Sequence, residues 1–376
     1  MNYGKKNAAK IKWQLTSRET VMRRKVKSLT LLIILLCFVL VLGYGGYRGY
    51  QYVEQIIAEA PDINEIDATP SGYMSTVLDA KGNVTAQLVG TGSNRVYVTL
   101  DEIPEELQKA FVAIEDERFY DHNGIDLRGI VRAGIKGVTT GHFSEGASTI
   151  TQQLLKNNVF DGWTTENSSQ RVKRKLQEQY LALQLEKKVS KDWIMENYLN
   201  TINLGQNTLG VQAASRRYFG KDVSELNLSE CAVIAGITQN PSKYNPISHP
   251  EDNAVRREKV LTNMRDQGYI DDVQYEAAMQ DNVYDRIQET NTKWQSSDSN
   301  ATSYFVDALT EEIIDDLQKE LDYSEAQAYK ALYSGGLTIY STQDPQIQEI
   351  CDTQVNDDNN YNIEKKISFS YALSVQ

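Results

Sequence analysis

One acidic side chain, Glu115, lies at a position where it could take part in a reaction. The segment AIEDERFYDHNG (residues 113–124) places Glu115 four residues after Phe111, on or near the buried edge of an amphipathic helix. A buried carboxylate is costly unless it is paired or used. Glu115 therefore either forms a structural pair or takes part in a reaction, and its own segment leaves both open.

The segment EGASTITQQLLKN (residues 145–157) contains many hydrogen-bonding side chains and few apolar ones. Such a helix either lines a polar cavity or lies at the surface with Ser148 as its N-cap. The side chains that would line the cavity are Ser148, Thr149, Thr151, Gln152, Gln153 and Lys156.

The segment RKLQEQYLALQLEKK (residues 174–188) brings charges of both signs to one helix face. Glu178 follows Arg174 by four residues and Lys175 by three, so the three side chains are neighbours. As a solvated ion pair they would contribute only about 0.3–0.5 kcal/mol. An apolar stripe on the same helix predicts that much of its surface is buried; the stripe is Leu176, Tyr180 and Leu183, flanked by Leu181 and Leu185.

The composition predicts a folded protein without a disulfide framework. The chain has 376 residues, 40% of them hydrophobic, which allows one large domain or two to three smaller ones. The net charge is −12. Three cysteines, none close to another, argue against disulfides and, with only three histidines, against a zinc site.

The N-terminus predicts a membrane anchor. Residues 1–27 hold nine Lys or Arg against one acid, and the next 20 residues, 28–47, carry no charge and could span a bilayer. The positive-inside rule places the tail in the cytoplasm and the rest outside. A cleaved signal peptide is the alternative, but the long leader and the lack of a small-residue cleavage pattern favour a retained anchor, and nucleic-acid binding by the tail is the weaker interpretation.

The chain after the predicted anchor divides into regions of different predicted secondary structure. A hairpin is expected around Lys81-Gly82-Asn83, a further strand at RVYVTL (95–100), and helices from 105 to about 285. Beyond a polar linker, residues spaced by four predict a helix from Phe305 to Leu317, and ISFSYALSVQ (367–376) reads as a strand without a visible partner, as in a chain cut short. The predicted regions are a cytoplasmic basic tail (1–27), transmembrane helix (28–47), stalk and hairpin (48–94), helical domain (95–285), linker (286–302) and connector (303–376).

Ordered motifs give this chain a family resemblance. EDERFYDHNG fits ED-x-x-F-x-x-H-x-G, GASTITQQLLKN fits G-x-S-T-I-T-Q-Q-L-x-K-N, and the segment from Arg174 fits R-K-x-x-E-x-x-x-A-x-x-L-E. KDWIMENYLN, AASRRYFGK and QNPSKYNP follow in order. The chain resembles family 51 glycosyltransferases, the peptidoglycan glycosyltransferase module of class A penicillin-binding proteins. Met195 replaces a more usual leucine, and Leu204 and Leu209 stand where many members carry aromatic residues.

The resemblance implies a mainly α, lysozyme-like glycosyltransferase domain with a small β-containing lead-in and an α+β connector toward a missing or truncated transpeptidase domain. It also implies the reaction, in which lipid II is polymerised into β-1,4-linked glycan for cell-wall synthesis. The acceptor's 4-hydroxyl attacks the donor's anomeric carbon with inversion, and a polyprenyl diphosphate leaves. The partners implied are lipid II, the nascent glycan, the membrane and division or elongation proteins, but no nucleic acid.

The same resemblance implies roles for individual residues. Glu115 would be the base and Glu178 a second catalytic carboxylate, which orients the cations or holds Mg²⁺ or another divalent cation on the substrate diphosphate. No organic cofactor is implied. Contacts to the diphosphate or sugars would come from Asp116, Ser148, Thr149, Gln152, Gln153, Lys156, Arg174 and Lys175.

Two residues and one segment also have simpler structural interpretations. Asp116 could instead be a capping group, and His122 is expected to be a structural hydrogen-bond partner. The segment GIDLRGIVRAGIKGV (124–138) either dips into the lipid headgroups or is an ordinary amphipathic helix.

Two other functions compete with the glycosyltransferase. A lysozyme-like muramidase would need a proton-donating carboxyl group, but it does not explain the pairing of Lys156 with Arg174 or the anchor. A non-catalytic scaffold for division proteins would not need Glu115 or Glu178.

The sequence has no Ser-x-x-Lys and no Lys-Thr-Gly, the motifs that carry transpeptidase acylation. We therefore expect the chain to form no covalent adduct with a labelled β-lactam, as measured by intact-protein mass spectrometry. A stable stoichiometric adduct would contradict this.

Overall fold

The computed structural model describes residues 4–90, 93–140, 146, 148–160, 166–296, 303–357 and 360. The chain forms two compact units. The first comprises Met1–Asp62 and Glu166–Tyr180, and the second comprises Ile63–Thr165 and Leu181–Gln376. The described residues are mainly helical, as the sequence predicts.

The first unit contains one long apolar helix. After α1 (Lys5–Thr16), α2 runs from Arg18 to Ala58, and its part Val21–Ala58 is long and apolar enough to cross a membrane. The predicted span 28–47 lies inside α2. Residues 48–58 of the predicted stalk continue the same helix, because no proline interrupts it and its own side chains support it, with Gln51 donating to the Tyr47 hydroxyl at 2.9 Å.

The remaining helices run in chain order from residue 105 to 356, and α6 begins in the first unit and ends in the second. They are α3 (Glu105–Glu115), α4 (Leu127–Thr140), α5 (Ile150–Val159), α6 (Ser168–Leu185), α7 (Lys191–Leu199), α8 (Val211–Phe219), α9 (Leu228–Ile237), α10 (Pro250–Asp266), α11 (Asp272–Gln280), α12 (Val283–Ser296), α13 (Tyr304–Leu321), α14 (Glu325–Ser334) and α15 (Pro345–Asn356).

Helix α9 is the centre of the second unit. Its sequence LSECAVIAGI is apolar on nearly all sides, and every residue from Ser229 to Ile237 is buried. A capping box between Asn227 and Glu230 starts the helix by satisfying two of its first backbone N–H groups. Helices α3 and α10 pack on α9 and on each other. This packing fixes the C-terminal end of α3 beside the C-terminal end of α9.

A three-stranded sheet joins distant parts of the second unit. Strands β1 (Ser75–Leu78) and β2 (Val84–Leu88) form the predicted antiparallel hairpin. Strand β3 (Thr338–Tyr340) pairs in parallel with β1, so the hairpin and the connector share one sheet instead of forming separate regions. A small hydrophobic cluster supports it, made of Val77, Leu88, Val306, Ile314, Ala328 and Leu332.

The predicted strand at residues 95–100 is not a strand. The Val98 N–H donates to Asn200 Oδ1 at 3.0 Å, and the Val98 carbonyl accepts from Asn200 Nδ2 at 2.8 Å. The Leu100 N–H donates to the Glu196 carboxylate at 2.8 Å. Side chains from α7 and its C-cap therefore take the backbone groups that a neighbouring strand would have taken.

The predicted linker begins as a helix. Val283 and Ile287, four residues apart in α12, are buried against Val233 of α9 and hold an otherwise polar helix in place. Residues 297–302 of that linker and the strand predicted at 367–376 lie outside the described residues.

Gly124 occupies a position that requires glycine. Its φ is +91°, and a Cβ there would lie 2.6 Å from the Ala182 carbonyl oxygen. The Gly124 carbonyl accepts hydrogen bonds from the Thr149 hydroxyl at 2.9 Å and the Gln152 amide at 3.1 Å. The glycine thereby lets the loop after α3 approach both α5 and α6.

We expect Gly124→Ala to lower the free energy of unfolding by about 2–4 kcal/mol, because it adds a positive-φ side chain and a steric clash. The control is Gly134→Ala in α4, where a Cβ meets nothing within 4 Å; alanine there should be neutral or stabilising. Urea unfolding of both variants measures the difference, and equal stabilities would contradict the assignment.

Candidate functional site

Three side chains hold the carboxylate of Glu115. Its Oε2 accepts a hydrogen bond from Gln153 Nε2 at 2.9 Å, and its Oε1 accepts one from Thr238 Oγ1 at 2.6 Å. Arg256 Nη2 lies 4.0 Å from the same Oε1. The Glu115 side chain is 14% exposed, so it lies at the edge of the core, as the helical spacing predicts.

The fold brings these groups together through helix ends. Glu115 is the last residue of α3, and Thr238 is the C-cap of α9. Pro250 opens α10, which presents Arg256 less than two turns later, and Gln153 lies four residues after Thr149, the N-cap of α5. The packing of α3, α9 and α10 therefore sets the geometry at Glu115.

Arg256 is a largely buried cation. Its side chain is 10% exposed, and its guanidinium carbon lies 5.8 Å from the Tyr244 ring centroid. Its Nε atom is buried and has no hydrogen-bond partner in the part of the chain that the structure describes. Burial lowers the pKa of Arg256, and the charge of Glu115 opposes that effect. The cation thus acts on Glu115 mainly through its field, because the separation is too long for a strong hydrogen bond.

Asp116 has a structural role. Its Oδ2 accepts from the Ile150 N–H at 3.0 Å and from His122 Nε2 at 2.9 Å, so it holds the start of α5. The Gly124 N–H donates to His122 Nδ1 at 3.1 Å, which assigns the imidazole proton to Nε2. The capping interpretation of Asp116 and the structural interpretation of His122 fit this geometry, and a substrate contact by Asp116 remains a prediction.

Helix α5 buries most of its polar face instead of lining an open cavity with it. Thr149, Thr151 and Gln152 are each at most 2% exposed. Thr151 donates to Glu186 at 2.5 Å, and Thr149 is the N-cap, so the alternative with Ser148 as N-cap is wrong. Thr149 and Gln152 are structural in this geometry; the predicted substrate contacts of these residues and of Ser148 remain predictions.

A second cluster lies in the first unit and centres on Arg174. Arg174 Nε donates to Glu166 at 2.7 Å, and its Nη1 donates to Glu178. Lys175 Nζ donates to the other oxygen of Glu178 at 2.8 Å. The Glu178 side chain is fully buried, so the solvated ion pair that the spacing alone would favour is wrong.

The charges of this cluster depend on each other. Burial opposes the charge of Arg174, but hydrogen bonds and charges from Glu166 and Glu178 outweigh it and raise the Arg174 pKa. The hydrogen bond from Arg174 is the largest of the effects that lower the pKa of Glu166. Removing one partner would leave the others uncompensated, which is the expensive case for buried ion pairs.

The donor set around Glu178 does not fit a metal ion held by the protein alone. Both Glu178 oxygens already accept hydrogen bonds from cations. Across the described residues, no group of three or more His, Cys, Asp or Glu side chains could hold a metal.

Sequence reasoning missed Thr238, Arg256 and Glu166 as members of these clusters. Thr238 directly precedes the motif QNPSKYNP, which is its signal in the sequence. No motif in the sequence marks Arg256 or Glu166. Arg256 meets Glu115 and Glu166 meets Arg174 only in the folded chain.

Comparison with known proteins identifies a family match that includes both clusters. A family model described as transglycosylase matches residues 81–265. Residues 81–265 belong to the transglycosylase family. The matched region contains Glu115 with all three of its neighbours and the whole Arg174 cluster.

Curated relatives extend the likeness beyond this domain. Penicillin-binding protein 1A of Clostridium perfringens (strain 13) is 39% identical over 327 residues, which cover 82% of this chain and 46% of the relative. Penicillin-binding protein 1A/1B of Bacillus subtilis is 36% identical over 330 residues, covering 88% of this chain and 34% of the relative. The chain thus spans less than half of each relative.

A crystal structure of penicillin-binding protein 1A from Haemophilus influenzae aligns with 76% of this chain and 29% of that chain. The identity is 21% and the TM-score is 0.36, too low to support a structural argument.

Proposed function

We propose that the protein is a peptidoglycan glycosyltransferase that polymerises lipid II into β-1,4-linked glycan with inversion and release of polyprenyl diphosphate. The observation that carries the proposal is the Glu115 carboxylate, held at the core's edge by Gln153 and Thr238 inside a transglycosylase-family domain. A fixed, partly exposed carboxylate can accept the proton of an attacking sugar hydroxyl.

Neighbouring side chains orient and stabilise the proposed base, Glu115. Gln153 and Thr238 orient the two Glu115 oxygens, and Arg256 stabilises the negative charge from 4.0 Å. When the acceptor hydroxyl gives its proton to Glu115, the sugar oxygen attacks the anomeric carbon. The bond electrons of the donor leave with the diphosphate.

Cationic side chains supply the charge that a leaving diphosphate needs. Lys156, in the last turn of α5, and the pair Arg174 and Lys175 are the proposed contacts. A guanidinium binds phosphate oxygens with its fork of donors, and an ammonium acts as a point charge. Glu178 would then position Arg174 and Lys175, an indirect role that the hydrogen bonds among them support.

A divalent cation is proposed only as an ion that the substrate diphosphate brings with it. Because Glu178 is occupied by two cationic side chains, a metal ion would have to arrive bound to the diphosphate and displace one of them. We assign no step of the reaction to it.

A membrane location suits a lipid-linked substrate. The apolar part of α2 is the proposed anchor, with the basic tail in the cytoplasm and the catalytic domain outside. Helix α4 presents Leu127, Val131 and Ile135 on one exposed stripe, each at least 60% exposed, which favours contact with lipid headgroups over the ordinary amphipathic interpretation. Partners among division or elongation proteins remain a proposal.

The muramidase alternative is disfavoured by the acids near the site. A glycosidase uses two carboxyl groups across the scissile bond. Asp116, the neighbour of Glu115, is committed to Ile150 and His122. Incubation with lipid II and, separately, with preformed glycan separates three outcomes: polymer for the transferase, shortened glycan for the muramidase, and neither for a scaffold.

We expect Glu115→Gln to lower lipid II polymerisation by about 10²–10⁴-fold, because the amide keeps the shape but cannot accept the proton. Unfolding free energy should change by less than about 1 kcal/mol, since losing a partly buried charge offsets the weaker field on Arg256. Donor binding should persist.

The control for this variant is Glu105→Gln, at the opposite end of α3 and 73% exposed, which should keep full activity. Polymerisation and thermal unfolding are measured on the same preparations. An active but destabilised Glu115→Gln variant would return Glu115 to a structural role.

We expect Lys156→Ala and Arg174→Ala each to lower polymerisation by about 10²-fold or more through lost stabilisation of the leaving charge. Arg174→Ala should also lower the free energy of unfolding by roughly 3–5 kcal/mol, because it strips a partner from buried Glu178. Arg171→Ala, at an exposed position of α6, is the control. Wild-type rates in both test variants would refute the diphosphate assignment.

A further inference from the structure

Thr238 has two hydrogen-bond acceptors within reach of its hydroxyl proton. Its Oγ1 lies 2.6 Å from Glu115 Oε1 and 3.0 Å from the carbonyl oxygen of Ala235, which precedes it in α9. A threonine hydroxyl has one proton to donate and can also accept hydrogen bonds. It can therefore donate fully to only one of these two oxygens at a time.

The two orientations of this hydroxyl match the two protonation states of a carboxyl group. When Glu115 is ionised, Thr238 donates to Oε1. When Glu115 carries a proton, the carboxyl group can donate to Oγ1, and Thr238 turns its own proton to the Ala235 carbonyl. A rotation about one C–O bond therefore keeps Thr238 and Glu115 hydrogen-bonded in both states without moving a heavy atom.

The other two neighbours of Glu115 lack this property. The guanidinium of Arg256 contains donors only, so it favours the ionised carboxylate alone. Gln153 donates through Nε2 and would have to rotate its amide by half a turn to accept a proton instead.

We infer that Thr238 is a positioning residue that keeps the Glu115 carboxyl group in one orientation before and after it takes a proton from the acceptor hydroxyl. The inference rests on the proposed function, which makes Glu115 the base. The proton passes from the sugar hydroxyl to Glu115 and then to water, while Thr238 exchanges hydrogen-bond partners and is not consumed.

Other charged or titratable groups also lie near Glu115, and a test of Thr238 must leave them unchanged. Asp116 adjoins Glu115 in the chain, and Arg256 faces it from α10. Tyr198 of α7 has a buried hydroxyl with no hydrogen-bond partner among the described residues. Burial raises the pKa of Tyr198, and the charges of Glu115 and Asp116 add to the effect. Substitutions at Thr238 leave all three in place.

The test compares Thr238→Val, which keeps the shape and removes the hydroxyl, with Thr238→Ser, which keeps the hydroxyl. Thr292→Val is the matched control, because the exposed Thr292 hydroxyl donates only to the Gln288 carbonyl of its own helix at 2.8 Å. Initial rates of lipid II polymerisation across pH give kcat and KM, and thermal unfolding reports folding.

For Thr238→Val we expect kcat to fall by about 10-fold with KM within about twofold, since the base is misoriented while substrate contacts remain. The acidic limb of the rate profile should move to higher pH, because the hydroxyl bonds more strongly to the charged carboxylate than to the neutral carboxyl group. Thr238→Ser should restore both, and Thr292→Val should change neither.

A purely structural threonine would lower the melting temperature of Thr238→Val and leave kcat and the pH limb unchanged, which would overturn the inference. Inactive wild-type protein would instead refute the proposed function. A second measurement does not need activity. Infrared difference spectra, taken against the same protein carrying Glu115→Gln, follow the Glu115 carboxyl band as the pH changes. If this band changes with pH in the same way in the wild type and in Thr238→Val, the inference is overturned.

Discussion

The geometry at Glu115 depends on the burial of α9. A helix of ten residues that is buried along its length must be covered by others, and α3 and α10 cover it. Their packing leaves the last residue of α3 beside the residue that caps α9. A hydrophobic core thereby fixes a carboxylate and a hydroxyl within 2.6 Å, although neither belongs to the core itself.

The protein holds its two important glutamates in different ways. Of the residues that the structure describes, Glu115 is in contact with neutral donors only, and its cation lies 4.0 Å away. Glu178 is fully buried and bonded to both Arg174 and Lys175, so its carboxylate is fixed in position. The first arrangement suits a group that reacts, and the second suits a group that positions cations.

The sequence predicted the helices, the hairpin and the residues at the centre of each cluster, because these follow from spacing within one segment. Phe111 and Glu115 share a helix face, and Arg174 and Glu178 are one turn apart. It could not predict Arg256, which reaches Glu115 only through the packing of α10. It also could not reveal that Thr149 and Gln152 both donate to the Gly124 carbonyl, because polarity alone does not identify a hydrogen-bond partner.

The same limit explains the errors at strands and boundaries. The extended segment at Val98 has the composition of a strand, but its partner is the Asn200 side chain. The polar sequence after Val283 reads as a linker, yet two buried residues make it a helix.

The parallel pairing of β1 with β3 has a consequence for the timing of folding. Thr76 lies opposite Thr338, so this part of the sheet joins residues separated by almost the whole second unit. Contacts between residues so far apart in sequence are slow to form, and during synthesis β1 must wait for β3 to leave the ribosome. The helices around α9 are made earlier and can assemble first, while the exposed edge of β1 remains open to other strands until the chain reaches Tyr340.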